Sequence, residues 1–184
     1  RGLPVSIYRP GRIAGDSRTG ISNPDDFVCR YLRGCLQLGA MPDWDGEVNL
    51  VPVDYVSRAI VHLSMQPESL GRVFHLMNPR SAPWSDLIDW FRSEGFSVRP
   101  VPYRAWRESL ERSPDNALYP LLSTFPADGY GDGQAVPEVS SRQRVEFDTR
   151  NTVSGLAHSS ISCPPADRAL FRAYLSDLVD RNVL

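Results

Sequence analysis

The sequence predicts a helix-rich α+β domain that contains only a small sheet. Three observations support this fold class. Several segments repeat apolar residues at positions i, i+3, i+4 and i+7, which is the spacing of an amphipathic helix. The extended apolar runs between those segments are short and well separated, so the sheet that they build is small. The chain has 184 residues, enough for one domain with a real core and too few for two.

Strand, loop and helix signals follow one another at the start of the chain. Residues 3–8 alternate apolar and polar side chains as a strand does, and the proline and glycine within residues 9–12 predict its end. Residues 15–20 are polar and are predicted to form a loop. Asn23, which is followed by proline, is predicted to cap a helix that Gly39 ends.

The middle of the chain repeats this alternation. Residues 48–53 form a short extended run, and Asp54 is predicted to cap a helix over residues 55–65, where the apolar residues follow the helical spacing. A strand over residues 73–77 then precedes a helix whose apolar stripe begins at Trp84. Each of these strands is therefore followed by a helix, as in α/β and α+β proteins.

The last third of the chain contains weaker signals. Its predicted elements are a strand (98–101), two short helices (103–112 and 116–122), a mobile loop (126–141), an extended run (145–147) and a final helix (165–182). The loop is predicted because glycine and proline are frequent in it and apolar residues are few. The final helix is predicted because its apolar residues recur at helical spacing.

The charge balance of the chain excludes several classes of partner. Twenty basic residues stand against twenty-two acidic ones, which gives a net charge of −2. A protein with that balance has no bulk positive field to attract nucleic acid or anionic lipid. No run of apolar residues approaches the length of about eighteen that a membrane-spanning helix needs. We therefore expect a cytoplasmic protein without nucleic-acid or membrane partners.

The residue types that are missing or scattered exclude further chemistry. All twenty basic residues are arginine, so this chain holds no Schiff-base lysine, no Walker lysine and no tyrosine–lysine pair for hydride transfer. Cys29, Cys35 and Cys163 lack a metal-binding spacing and are predicted to be buried thiols. The three histidines are isolated from one another, so no metal site is predicted.

Two polar segments are the candidates for ligand contacts. Residues 9–12 end a strand, and α/β proteins bind ligands at the carboxyl edge of their sheets, although a plain strand-ending turn explains these residues equally well. Thr19, Asn23 and Asp26 cluster at a helix start, where backbone N–H groups attract carbonyl or phosphate oxygens; ordinary capping also explains them. The glycines within residues 129–133 do not have the G-x-G-x-x-G spacing of a dinucleotide-binding turn.

Several motifs occur along the chain in a fixed order. They are Arg1-Gly2-Leu3-Pro4-Val5-Ser6-Ile7-Tyr8-Arg9-Pro10-Gly11-Arg12-Ile13, Gly15, Thr19-Gly20, Asn23, Asp26, and the segments 34–39, 48–60, 74–78 and 116–122. In this order they resemble the later half of thioester reductase domains, which belong to the extended short-chain dehydrogenase/reductase superfamily. Such domains end many nonribosomal peptide and polyketide synthetase lines, and carboxylic acid reductases also contain them. The resemblance extends over nearly the whole chain.

The resemblance implies a fold and a reaction. The chain would hold the last strand or strands of a Rossmann sheet together with the C-terminal substrate-binding subdomain. In this family, NADPH reduces an acyl thioester on the phosphopantetheine arm of a carrier protein, and an aldehyde or alcohol is released. The implied layout is a sheet strand with a cofactor-edge loop (1–15), substrate-covering helices and short strands (16–125), a mobile loop (126–141) and a C-terminal strand and helix (142–184).

The sequence lacks the glycine-rich cofactor loop, the catalytic Ser or Thr and the Tyr-x-x-x-Lys pair, which belong to the family's earlier half. The resemblance therefore implies no catalytic residue here and weak or no NADPH binding by this chain alone. The implied cofactor-edge residues are Arg9, Pro10, Gly11, Arg12 and Ile13. The implied walls of the acyl site are Thr19, Gly20 and Asn23.

The expected partners follow from the same resemblance. They are an acyl or peptidyl carrier protein and an upstream Rossmann half of the same domain. The chain opens without Met and runs directly into a strand, which predicts the interior of a longer polypeptide. Without that upstream half, the flank of the first strand would stay unpaired and apolar, so we expect self-association through this edge.

Two other functions remain open from the residues alone. The chain could belong to another extended reductase or epimerase that acts on a nucleotide-sugar or a free small molecule. Such enzymes also contain a strand that ends in Arg-Pro and a later helix that begins at Val-Asp. A non-enzymatic module would use Arg104, Arg107 and Arg112 to dock an acidic carrier protein. Glu108 and Glu111 lie between these arginines, so a solvated face of ion pairs is the competing interpretation.

Overall fold

Short strands separated by helices make up the fold. The computed structural model describes residues 3–43, 45–127 and 147–183. The helices are α1 (Phe27–Leu38), α2 (Val53–Ser64), α3 (Trp84–Ser93), α4 (Tyr103–Glu111), α5 (Arg150–Leu156) and α6 (Arg168–Asp180). The strands are β1 (Ile7–Pro10), β2 (Arg12–Ala14), β3 (Ala40–Pro42), β4 (Glu47–Val48), β5 (Leu50–Pro52), β6 (Val73–Leu76), β7 (Ala82–Pro83) and β8 (Arg99–Val101). The predicted helix-rich α/β class is confirmed.

The strands pair two by two, and most pairs are parallel. β1 lies beside β6, β2 beside β5 and β3 beside β8 in parallel register, whereas β4 and β7 are antiparallel. Parallel neighbours need long crossover connections, which explains why the paired strands are far apart in the chain. Only Gly11 separates β1 from β2, and its N–H donates to the Leu76 carbonyl at 3.0 Å, so the β1–β6 ladder continues past the strand end.

The first strand lies further along the chain than the sequence predicts. β1 begins at Ile7 rather than residue 3, and it includes the Arg9-Pro10 pair that was predicted to end it. The N–H groups of Ile7 and Gly11 both donate to carbonyls at β6 or just before it. Backbone N–H groups alternate in direction along a strand, so Pro10 lies at a position whose N–H would face away from β6, and its missing donor breaks no bond there.

The two outer edges of the β1–β6 pair differ. The outer edge of β6 is covered by α5, because the Asn151 side chain donates to the Val73 carbonyl and the Thr152 hydroxyl to the His75 carbonyl, both at 2.9 Å. On the opposite side of β1, no strand pairs among the residues that the structure describes. Leu3 and Val5, which precede β1, are more than half exposed.

The buried side chains form a larger and a smaller cluster. The larger cluster joins α1, α3, α4 and α6, and aromatic side chains such as Trp106 and Phe171 are fully buried in it. The smaller cluster packs α2 and β6 with Leu156 and Cys163, and Tyr8 stacks on Phe74 at 5.5 Å beside it. Among the described residues, no helix is both long and apolar enough to cross a membrane.

Several helix boundaries differ from the predicted ones because the caps lie elsewhere. α1 is capped by Asp26, whose carboxylate accepts from the Cys29 N–H at 2.8 Å, so the prediction of Asn23 as the cap was wrong. Asn23 instead accepts from the Asp25 N–H at 3.0 Å and holds the turn before the helix. Gly39 does end α1, with a φ of 59° that suits glycine.

The C-terminal part differs in a similar way. The final helix begins at Arg168, after an Asp167 cap, rather than at residue 165. α5 was not predicted, because its seven residues carry few apolar side chains. Residues 119–124 form a 3₁₀ helix that overlaps the second half of the short helix predicted over residues 116–122. Most of the predicted loop over residues 126–141 lies outside the described residues, as does most of the extended run at 145–147.

Candidate functional site

The candidate cofactor edge lies where β1 passes into β2. Arg9, Pro10 and Ile13 are exposed there, at the carboxyl end of a parallel strand pair. The Arg12 guanidinium carbon lies 4.2 Å from the centre of the Phe27 ring, a cation–π contact that ties this segment to α1. Gly11 is close-packed, because an added Cβ would lie 3.0 Å from the Met77 sulfur. The structure thus brings these five residues to one exposed strand end.

The adjoining segment, residues 15–21, is a closed loop that we call the Asp16 loop. One carboxylate oxygen of Asp16 accepts from the Arg18 N–H, the Thr19 N–H and the Thr19 hydroxyl at 2.9–3.0 Å. Backbone bonds from the Asp16 N–H to the Ile21 carbonyl and from the Gly20 N–H to the Asp16 carbonyl, both 2.9 Å, close the loop. The N–H groups of Thr19 and Arg18 lower the pKa of Asp16.

Asp54 clamps this loop to α2. One oxygen of its carboxylate accepts from the Ser17 N–H at 2.9 Å, and the other accepts from the Ser17 hydroxyl at 2.8 Å. The predicted role of Asp54 as the cap of α2 was wrong, because Pro52 holds the cap position and Asp54 lies in the first helical turn. The sequence contains no signal for this contact, since the two residues are 37 positions apart.

The Asp16 loop rests on α6. Gly20 has a φ of 74°, and an added Cβ would overlap the carbonyl oxygen of Ala173 in α6. The Tyr174 ring packs against Gly15, where an added Cβ would lie 3.1 Å from a ring carbon. The Tyr174 hydroxyl is buried without a hydrogen-bond partner in the described structure, and burial raises its pKa. Tyr174 was not singled out from the sequence, because its spacing is that of an ordinary core position in a helix.

The three predicted substrate-wall residues therefore have different surroundings. Thr19 is exposed, although its hydroxyl is bonded to Asp16 within the loop. Gly20 is buried against α6, and Asn23 is exposed with its amide oxygen engaged by the Asp25 N–H. All three follow β2 in the chain, and Thr19 and Gly20 lie within the Asp16 loop, whereas Asn23 lies in the turn before α1.

The arginine face predicted on α4 is not a free docking surface. Arg107 is buried, its Nε donates to the Phe125 carbonyl, and its Nη1 lies 2.6 Å from a Glu111 carboxylate oxygen. Arg104 pairs with Glu108 at 3.2 Å. These contacts favour the interpretation of the α4 face as a set of ion pairs. The prediction that Arg107 is a free positive charge for docking was wrong, because this side chain is buried and paired.

The cysteines do not supply a reactive group. Cys29, Cys35 and Cys163 are buried and free, as predicted. Burial raises the pKa of Cys29 to about 11 and the pKa values of Cys35 and Cys163 to about 12. These thiols are therefore protonated at neutral pH and are poor nucleophiles. Within residues 3–43, 45–127 and 147–183, no group of three or more His, Cys, Asp or Glu residues is placed to hold a metal ion.

Comparisons with known proteins place this arrangement in a family. An NAD-binding family model described as "Male sterility protein" matches residues 1–60. The chain is 35% identical to a linear gramicidin synthase of Brevibacillus parabrevis over 176 residues, which are 95% of this chain and 3% of that protein. It is also 35% identical to L-2-aminoadipate reductase of Saccharomyces cerevisiae over 185 residues, or 96% of this chain and 13% of the reductase.

A solved structure matches the whole chain. The terminal R domain from the myxalamid PKS-NRPS biosynthetic pathway is 40% identical, with a TM-score of 0.87, over 100% of this chain and 45% of that domain. The parallel strand pairs and these similarities define the chain as part of an extended short-chain dehydrogenase/reductase. More particularly, it belongs with the terminal reductase domains of nonribosomal peptide and polyketide synthetases. The chain spans less than half the length of the solved reductase domain.

Proposed function

We propose that this chain is the substrate-binding portion of an NADPH-dependent thioester reductase. The enzyme would release an acyl or peptidyl chain from a carrier protein as an aldehyde or alcohol. The observation that supports this most strongly is the match to a terminal R domain, at 40% identity over 100% of the chain. A match at that identity is closer than a likeness of fold alone, which says little about function.

The residues of the strand end fit one side of a nicotinamide site. Ile13 is 40% exposed and lies beside the exposed Arg9 and Pro10, at the edge of a parallel sheet where α/β proteins bind nucleotides. The sequence has no G-x-G-x-x-G turn and no lysine, so these residues provide an edge of the site rather than its phosphate cradle. We therefore assign the cradle and the catalytic pair to a cofactor-binding half that pairs with the free edge of β1.

The chain's own residues would position the acyl group. When bound, NADPH would supply a hydride to the thioester carbonyl carbon and become NADP⁺. The C–S bond would break, and the departing thiolate would take a proton from solvent, which leaves an aldehyde and a free thiol. The Asp16 loop, held by Asp54 on one side and α6 on the other, forms a fixed wall beside the strand end. A fixed wall holds the reacting carbonyl close to the hydride donor and keeps water from the site, which are the main contributions of a binding subdomain to catalysis.

Thermal unfolding tests the substrate class. The protein used is the complete reductase domain, which is this chain joined to its cofactor-binding half. A ligand that binds the folded state raises the melting temperature, and the rise increases with its concentration and affinity. We expect an acyl-loaded carrier protein with NADPH to raise it and a nucleotide-sugar to have no effect. Stabilisation by the nucleotide-sugar alone would contradict the proposal and favour a reductase or epimerase that acts on free small molecules.

The isolated chain provides the matched control. It lacks the phosphate cradle, so we expect it neither to bind NADPH tightly nor to oxidise it in the presence of an acyl thioester. Isothermal titration and absorbance at the nicotinamide band measure the two properties. Steady NADPH oxidation by the isolated chain would contradict the assignment of the catalytic groups to another half. Carrier binding by the complete domain without any NADPH oxidation would instead indicate a docking module that is not an enzyme.

A further inference from the structure

A groove on the larger cluster lies between the end of α1 and the turn that follows α3. The residues that line it include Gly39, Phe96, Arg92 and Arg99. Phe96 packs against the larger core cluster, whereas β1 lies beside the smaller one. A cofactor-binding half that pairs with the free edge of β1 would pack beside the smaller cluster, whereas the groove lies on the larger one.

The rim of the groove carries an excess of positive charge. Glu94, which adjoins the groove, pairs with Arg168 at 3.2 Å and with Arg172 at 3.4 Å, and both arginines are more than half exposed. Asp89 pairs with Arg92 at 3.4 Å. Arg99 is exposed and has no acidic partner among the described residues. Four guanidinium groups therefore face two carboxylates in a chain whose overall charge is −2.

The neighbouring backbone does not neutralise this charge. Leu36 near the end of α1 and Arg92 near the end of α3 have carbonyls that already accept a backbone N–H. The Gly39 N–H donates to the Leu36 carbonyl, the Gly95 N–H to the Arg92 carbonyl and the Arg92 Nε to the Val98 carbonyl. The guanidinium groups are therefore the main charges that an approaching molecule meets at this rim.

We propose that this groove is the docking surface for the acidic carrier domain that presents the thioester. The inference rests on the proposed function, since only a carrier-bound substrate requires a docking surface. An acidic helix of the carrier would lie along Arg99, Arg92 and Arg172, and its charge complements theirs. The face on α4 has a smaller excess of positive charge, because Arg107 is buried and Arg104 and Arg107 each pair with a glutamate.

A comparison of two substrates in the complete reductase domain tests the docking surface. One substrate is the acyl chain on its carrier protein, and the other is the same acyl chain on free pantetheine. The test variants are Arg99→Glu alone and combined with Arg172→Glu, and the control is Arg112→Glu, which makes the same charge change on an exposed residue of the α4 face. All variants are compared at low and high salt.

We expect the double variant to raise KM for the carrier-bound substrate about tenfold at low salt, as loss of about one charge-pair contact does. KM and kcat for the free pantetheine substrate should stay within about twofold of the parent values. Equal changes for both substrates, or an equal change with Arg112→Glu, would overturn the docking surface while leaving the proposed reaction intact. If the parent domain reduces neither thioester, the proposed function fails and the docking surface fails with it.

Discussion

Gly20 is the residue at which the Asp16 loop meets two constraints at once. Its φ of 74° lies in the left-handed region, and its Cα faces the backbone of α6 without room for a side chain. The contact with Ala173 is a contact with backbone, which cannot rotate away as a side chain can. The resemblance implied a substrate contact for Gly20, and the structure adds a packing reason for glycine at the same position.

Replacement of Gly20 tests this reasoning. We expect Gly20→Ala to lower the free energy of unfolding of the chain by about 3 kcal/mol or more, from left-handed strain and overpacking together. Gly95→Ala is the matched control, because Gly95 also has a positive φ, 89°, but no atom within 4 Å of an added Cβ. It should cost about 1 kcal/mol in urea unfolding, and equal losses at the two sites would contradict the close contact with α6.

The Asp16 carboxylate makes the stability of the same loop depend on pH. The Thr19 and Arg18 N–H groups lower the folded-state pKa of Asp16 below 3.8, so its carboxylate contributes stability above that pH and loses it as the pH falls through the folded value. We expect Asp16→Asn to be less stable than the parent chain at pH 7 and to approach it below about pH 4. Asp115→Asn, at an exposed site, is the control. A difference that stays constant between about pH 7 and pH 3 would contradict this role.

At the scale of elements, the Asp54–Ser17 contact joins α2 to the loop between β2 and α1. The contact uses both oxygens of one carboxylate and both donors of one serine, so it fixes orientation as well as distance. The adjoining bond from the Val53 N–H to the Gly15 carbonyl, 3.3 Å, ties the helix start to the same loop. We infer that α2 determines the position of the Asp16 loop relative to the strand end.

Asp54→Ala removes this contact. We expect a loss of about 1–3 kcal/mol in the free energy of unfolding, because the Ser17 donors lose a charged acceptor in a half-buried place. Asp86→Ala is the control, since Asp86 also lies in the first turn of a helix, where the interaction with the helix dipole is worth about 0.3–1 kcal/mol. In the complete domain, Asp54→Ala should also raise KM for the thioester more than Asp86→Ala does. Identical effects of the two changes would show that Asp54 acts only on its own helix.

The elements themselves are largely predictable from the sequence, but the contacts that build the site are not. The stripes of α1, α2 and α3 repeat at helical spacing, and the structure contains all three helices. The cap of α1 was misplaced because Asn23, Asp25 and Asp26 all carry suitable oxygens, and only the path of the chain selects Asp26. The contact between Asp54 and Ser17 depends on long-range packing, and a local sequence pattern contains no information about it.

At the scale of the whole molecule, one edge of the sheet is left without a partner among the described residues. Leu3, Val5 and Ile7, at or just before the start of β1, are 81%, 53% and 44% exposed. An apolar strand edge with unpaired backbone groups pairs readily with another chain. In the proposed enzyme, the cofactor-binding half covers this edge, and in the isolated chain a second copy can replace it.

Self-association of the isolated chain follows from this edge. We expect its apparent mass to increase with concentration in sedimentation experiments, and we expect Val5→Lys combined with Ile7→Lys to abolish the increase. Val61→Lys is the control, because Val61 is 57% exposed on α2, away from any strand edge. Equal effects of the edge variant and the control would mean that general surface hydrophobicity, rather than the strand edge, drives association.

The fate of the hydride distinguishes reductive release of the acyl chain from hydrolysis. The complete reductase domain is supplied with an acyl-loaded carrier protein and NADPH that carries deuterium at the transferred position, and the products are analysed by mass spectrometry. We expect deuterium at the carbonyl carbon of a released aldehyde, or at the same carbon of the alcohol, with one free carrier thiol for each chain released. Release of the unlabelled acid, or no release while NADPH is oxidised on another substrate, would contradict the account.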